Sequence, residues 1–127
     1  MPSEPGLGIL LLSGTHERAH YAFVLAAGAA ALGRRVVLFA TNHGCHALAA
    51  DWHGLAGAAN DAAVRTTGVA GLDELREATR DLGATLLACD AGLRIAGLDP
   101  GLLMEGVEVA GVPTFLTAAA GFQLISL

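Results

Sequence analysis

The chain has 127 residues, 54% of hydrophobic and 15% of charged types, with a formal net charge of -5. That length suits one ordinary domain, and so much apolar surface offsets the entropy of ordering, which excludes a disordered chain. All 7 cations are arginines and only Arg34 and Arg35 are adjacent, which argues against nucleic-acid binding through clustered charge and rules out lysine Schiff-base chemistry.

In chain order, residues 9–12 (Ile-Leu-Leu-Leu) form a continuous apolar run ended by Ser13-Gly14-Thr15. Such a run suits a strand covered on both faces of a parallel sheet. Residues 18–32 read as a helix, with Thr15 as N-cap, Glu17 in the first turn and Gly33 as the stop. Its Ala22, Ala26, Ala29 and Ala30 make a low-relief stripe for close packing. Residues 35–40, centred on Val36, Val37, Leu38 and Phe39, are a second buried strand. The polar turn Thr41-Asn42-His43-Gly44-Cys45-His46 follows, and residues 46–52 are expected to form a short helix. Residues 54–71, rich in glycine, alanine and threonine, read as a mobile loop or broken helix, a length of loop that usually serves as a lid or interaction segment.

Residues 72–82 are an amphipathic helix closed by Gly83, with Leu75, Ala78 and Leu82 on one face. Glu74, Arg76, Glu77, Arg80 and Asp81 supply its charge. Residues 84–88 are the third strand, with Cys89 and Asp90 at its exit, and Asp90 is expected to cap a short helix through Ile95 that ends at Gly97. Asp99 before Pro100 fits an N-cap with proline at N1, opening a helical turn over residues 100–104. Val107-Glu108-Val109 alternates as a short strand, Pro113 opens a helix to about Ala120, and residues 122–127 are a last strand. Leu102, Leu103 and Met104, with Phe115 and Leu116, read as core or oligomer contact.

Alternating strands and helices predict helices on both faces of a mostly parallel sheet of about five strands, in a single domain over residues 1–127. Sites in such sheets form outside the carboxyl ends of the strands. The loops leaving the first three strands carry His16, then His43, Cys45 and His46, then Cys89, so chemistry belongs on that edge. Cys89 stands where strand becomes helix, and helix amides hold a thiolate ready there. The competing reading is a buried, inert cysteine. His43, Cys45 and His46 are candidate metal ligands, since imidazole and thiolate suit zinc or copper, although their spacing matches no closed structural site. Ser13-Gly14-Thr15 lacks the pattern of a dinucleotide fold or a P-loop, and no cofactor is expected.

Two cysteines without a signal-peptide pattern predict free thiols in a reducing, cytoplasmic setting. The longest apolar stretch, from Tyr21 to Leu32, falls short of the roughly 20 residues that span a bilayer, so no membrane association is expected.

Three segments together resemble the DsrE/DsrF-like sulfur-relay family. "LLSGTHERAHYAFVLAAGAAALGRRVVLFATNHGC" is similar to the family's opening strand, turn, helix and second strand. "GATLLACDAGLRIAGL" resembles the segment that delivers its sulfur-carrying cysteine, which puts Cys89 at that position, and "VEVAGVPTFLTAAAGFQLISL" is similar to its closing helix and strand. The resemblance implies a flavodoxin-like three-layer α/β/α domain that assembles into homo- or hetero-oligomers, with a homo-oligomer, a trimer or hexamer, expected for this chain. It also implies persulfide transfer by Cys89 between donor and acceptor proteins. Independently of the resemblance, His43 and His16 on the same edge are expected as supporting groups that tune the thiol or handle its proton. Cys45 departs from a one-cysteine carrier, as a resolving thiol, a metal ligand or an incidental residue. The alternatives at this stage are a non-enzymatic oligomeric interaction module with a buried Cys89, and a metal-binding protein using His43, Cys45 and His46.

Overall fold

The computed structural model describes residues 4–127. Five strands, β1 (Leu7–Leu11), β2 (Val36–Ala40), β3 (Thr85–Cys89), β4 (Val107–Ala110) and β5 (Gln123–Ser126), form one sheet in the order β4-β3-β2-β1-β5. Every pairing is parallel. The connecting helices are α1 (His16–Ala31), α2 (Asn60–Thr66), α3 (Leu72–Asp81), α4 (Asp90–Ala96) and α5 (Val112–Ala118). From β1 to β4 the chain steps one way across the sheet, and right-handed crossovers put α1 to α4 on one face. The step from β4 to β5 reverses direction and leaves α5 alone on the other. The result is a flavodoxin-like three-layer α/β/α arrangement.

The two faces are covered very unequally. On the first, Ile9, Leu11, Leu38 and Leu86 meet Phe23, Leu72, Leu93 and the alanine stripe of α1 in one continuous core. Ala19, Ala22, Ala26, Ala29 and Ala30 are all buried, so the small side chains let α1 lie close to the sheet. On the second face Val37, Phe39, Leu87 and Cys89 pack with Phe115 of α5 and Ala119 at its C-cap, and Leu10, Ala110 and Phe122 lie partly buried against them. The rings of Phe39 and Phe115 stack 4.9 Å apart.

Several expectations shift in position. The first strand starts earlier and ends at Leu11, because Leu7 pairs with Val36 and Gln123 while Leu12 and Ser13 donate instead to the carbonyl of Leu127. Helix α1 starts at His16, directly after Thr15, whose hydroxyl accepts from Arg18 N. The short helix expected over residues 46–52 is instead a 3-10 helix at Asn42–Leu48, so the polar turn itself is helical. The stretch over residues 54–71, expected as a loop or broken helix, contains the short helix α2, and Cys89 rather than Asp90 caps α4. Arg76, read as one of the charges of its amphipathic helix, is buried: its guanidinium donates to the carbonyls of Ala47, Ala49 and Ala50, where the 3-10 helix ends. Met104 and Phe115 are core, whereas Leu102 and Leu116 are exposed. Among the described residues no helix is long and apolar enough to cross a membrane.

Candidate functional site

Because β1, β2 and β3 are adjacent and parallel, their carboxyl ends share one edge of the sheet. Cys89 is the last residue of β3 and the N-cap of α4. Its backbone stays extended while its Sγ accepts from Gly92 N at 3.4 Å, taking the place that a serine oxygen fills in an ordinary cap. The side chain lies on the α5 face and is only 5% exposed. The Asp90 carboxylate, one residue on, pairs with Arg94 at 3.7 Å on the exposed side of α4, which offsets its charge beside the thiol.

The turn after β2 packs tightly against this cap. A Cβ at Gly92 would run into the backbone of Asn42 and Thr41, so only glycine permits the approach. Asn42 itself has φ 52, the one described non-glycine residue in the left-handed region. Asparagine tolerates that conformation, and such residues gather at functional sites. Cys45 is fully buried, and its Sγ donates to the carbonyl of Ala40 at 3.5 Å. Ala40 pairs with Ala88, the residue before Cys89, so the two cysteines approach each other across the ends of neighbouring strands. Burial pushes the Cys45 thiol up to about 11; charge on Cys89 acts in the same direction, and the backbone amides of Cys89 and Cys45 act against it.

The supporting histidines go elsewhere. His16 is buried at the start of α1, with Nε2 2.8 Å from Asp61 Oδ1. Its ring lies 5.6 Å from that of His20 and 5.8 Å from that of Trp52. The same Asp61 oxygen accepts from Leu72 N at 2.9 Å, so one carboxylate ties α1, α2 and α3 together. Burial raises the Asp61 carboxyl, and the hydrogen bonds from His16 and Leu72 outweigh it, holding the group below its ordinary value. A cavity of about 330 Å³ beside this cluster is lined by Trp52, His53, Asp61, Arg65, Asp73 and Glu74.

His43 stacks on His46 with ring centres 6.2 Å apart. Among the described residues, no hydrogen bond joins His16 or His43 to either thiol. Nor is any group of three or more His, Cys, Asp or Glu side chains gathered to hold a metal. The metal set His43, Cys45 and His46 therefore gains nothing from the geometry, because Cys45 turns inward to Ala40 while the imidazoles stack with each other. Asp61 escaped sequence reading, since one acid in a glycine- and alanine-rich stretch gives no sign of a buried partner 45 positions away.

No family model matches the chain, and no curated protein matches it. Among solved structures, a protein of unknown function from Methanobacterium thermoautotrophicum is similar with a TM-score of 0.59 at 20% identity, over 98% of this chain and 100% of that one. At that identity the likeness establishes a shared α/β layer fold.

Proposed function

We propose that the chain carries sulfane sulfur as a persulfide on Cys89 and relays it between donor and acceptor proteins. The observation that carries this reading is the Cys89 thiol at the carboxyl end of a central strand, its sulfur accepting an amide of the following helix. The cap holds the sulfur in one orientation at the first turn of α4, and thiol exchange depends on which sulfur is presented to the attacking thiol. The segment order that resembles the DsrE/DsrF-like family supports the same residue.

In the forward step the Cys89 thiolate attacks the terminal sulfur of a donor persulfide, forming a new S–S bond as the donor thiolate leaves. An acceptor thiolate then takes the terminal sulfur and returns Cys89 to its starting state. Helix α5 governs access, since Phe115 and the C-cap residue Ala119 are the buried side chains it sets over the face that holds the thiol. Such a free-thiol carrier belongs in a reducing compartment, the cytoplasm. We further assign the α5 face to a homo-oligomer, a trimer or hexamer: Leu116 is 57% and Leu124 59% exposed there, on a parallel sheet that needs both faces covered.

The 5% exposure of Cys89 favours a second reading, an interaction module whose thiol is packed inside. An alkylation time course on folded protein separates the two. Labelling of Cys89 without denaturant, together with uptake of one sulfur from a persulfide donor, supports the relay. Labelling only after unfolding supports the packed module.

A further inference from the structure

Cys45 is a buried thiol that the relay does not use, and it lies beside the residue that the relay depends on. Three features of the backbone bring the two together. Ala40, whose carbonyl accepts from Cys45 Sγ, is paired in register with Ala88. Cys89 follows Ala88 directly and ends the strand. The first turn of α4 then lies so close to Thr41 and Asn42 that Gly92 has no room for a side chain. The thiols thus sit on either side of the last peptide of β3, Cys45 packed with the α1 core and Cys89 with the α5 cluster.

We propose that Cys45 is the resolving thiol for a persulfide on Cys89, so that a sulfur not collected by an acceptor is released as sulfide and the two cysteines close as an internal disulfide. The inference rests on the Cys89 reading above and adds to it a second, intramolecular fate for the bound sulfur. In the loading step, Cys89 takes the terminal sulfur of a low-molecular-weight persulfide, RSSH, and RSH is released. The Cys45 sulfur next attacks Cys89 Sγ of the neutral persulfide. The Cys45–Cys89 S–S bond forms, the bond from Cys89 Sγ to the terminal sulfur breaks, and the terminal sulfur leaves with the Cys45 proton as hydrogen sulfide. In sum, RSSH and two protein thiols give RSH, hydrogen sulfide and one disulfide, so the protein dithiol is the reductant and no other oxidant enters.

The reaction requires Cys89 Sγ to turn away from Gly92 N, giving up its cap. Burial of Cys45, fully enclosed and bonded to Ala40, makes this the slower of the two fates. An acceptor protein has time to collect the sulfur first, and the disulfide marks its absence. The internal pair also accounts for a thiol that reaches no solvent and so serves no external substrate.

The test uses the reduced full chain, with glutathione persulfide as the donor and no acceptor protein. Sulfide released into solution is measured beside intact mass and peptide maps, on wild type, Cys45→Ser and Cys89→Ser. Wild type is expected to release sulfide, to lose two hydrogens in mass and to yield a cross-linked Cys45–Cys89 peptide. Cys45→Ser is expected to hold a one-sulfur adduct, with sulfide release slowed at least roughly tenfold. Wild type that keeps the adduct as long as Cys45→Ser, with no cross-linked peptide, overturns the resolving role and leaves the relay standing. Sulfur mapped to Cys45 overturns it as well. No uptake in Cys45→Ser defeats the relay reading itself. The cross-linked peptide is read on wild type alone, so a misfolded variant does not remove the test.

Discussion

Replacing Asp61 with alanine is expected to loosen the whole α1 side of the molecule, because three elements converge on that one carboxylate. Asp61 Oδ1 accepts from His16 Nε2 at 2.8 Å and from Leu72 N at 2.9 Å, and both partners are buried. Arg65 approaches Oδ2 at 3.4 Å but is 58% exposed, so its share is small. A hydrogen bond to a charged group contributes about 1.5–3 kcal/mol, and a buried donor left alone costs about 1–3 kcal/mol. The two bonds share an oxygen and do not add in full, so Asp61→Ala is expected to cost about 3 kcal/mol. In a chain of this size that lowers Tm by roughly 10 °C. Asp61→Asn keeps an acceptor in place and is expected to cost about half as much. Urea unfolding followed by fluorescence suits the measurement, since the single tryptophan, Trp52, lies 5.8 Å from His16. Acid provides a second check. The folded pKa of Asp61 lies below its ordinary value, so its contribution is present above the unfolded value of about 4 and is lost as pH falls through the folded one. Asp61→Asn removes that part of the acid slope. An Asp61→Ala variant within about 0.5 kcal/mol of wild type refutes the three-way tie.

Three further outcomes are expected. With its thiol pushed up to about 11 by burial, Cys45 stays protonated in the folded chain where the unfolded chain ionises. Its contribution is full below the unfolded pKa and is lost as pH rises toward 11, about 2–3 kcal/mol in all, so a Cys45→Ser variant should show a flatter alkaline unfolding curve. Gly92→Ala forces a methyl group into the backbone of Asn42 and Thr41 and should cost about 1–3 kcal/mol in urea unfolding, with Cys89 alkylating faster as its cap loosens. Leu124→Glu, on the exposed α5 face, should shift the chain toward monomer in light scattering while leaving its circular dichroism unchanged; an unaltered mass would count against assembly through that face.

Order and type of the main elements were legible because the signals were local. Continuous apolar runs marked β1, β2 and β3, and glycines and caps marked the helix ends. The cap at Thr15 and the exit position of Cys89 followed from the same signals. Long-range pairing was not legible. Arg76 reads as one more charge on a polar helix, and its burial depends on three carbonyls 26 to 29 residues earlier. His16 lay on the expected edge, yet it serves Asp61, a partner that no spacing rule links to it. The approach of Cys45 to Cys89 depends on strand register, which composition does not encode. The same limit applies to α5: its helical pattern was visible, but its solitary cover of one sheet face follows only from the reversal between β4 and β5.

The most direct measurement is the intact mass of Cys45→Ser, in which Cys89 is the only thiol, after incubation with a persulfide donor under native conditions. The sulfur-relay reading predicts one added sulfur that a reductant removes and that a thiol acceptor takes up. A folded Cys45→Ser chain that gains no sulfur, yet alkylates at Cys89 once unfolded, would contradict it and leave Cys89 as a packed core residue.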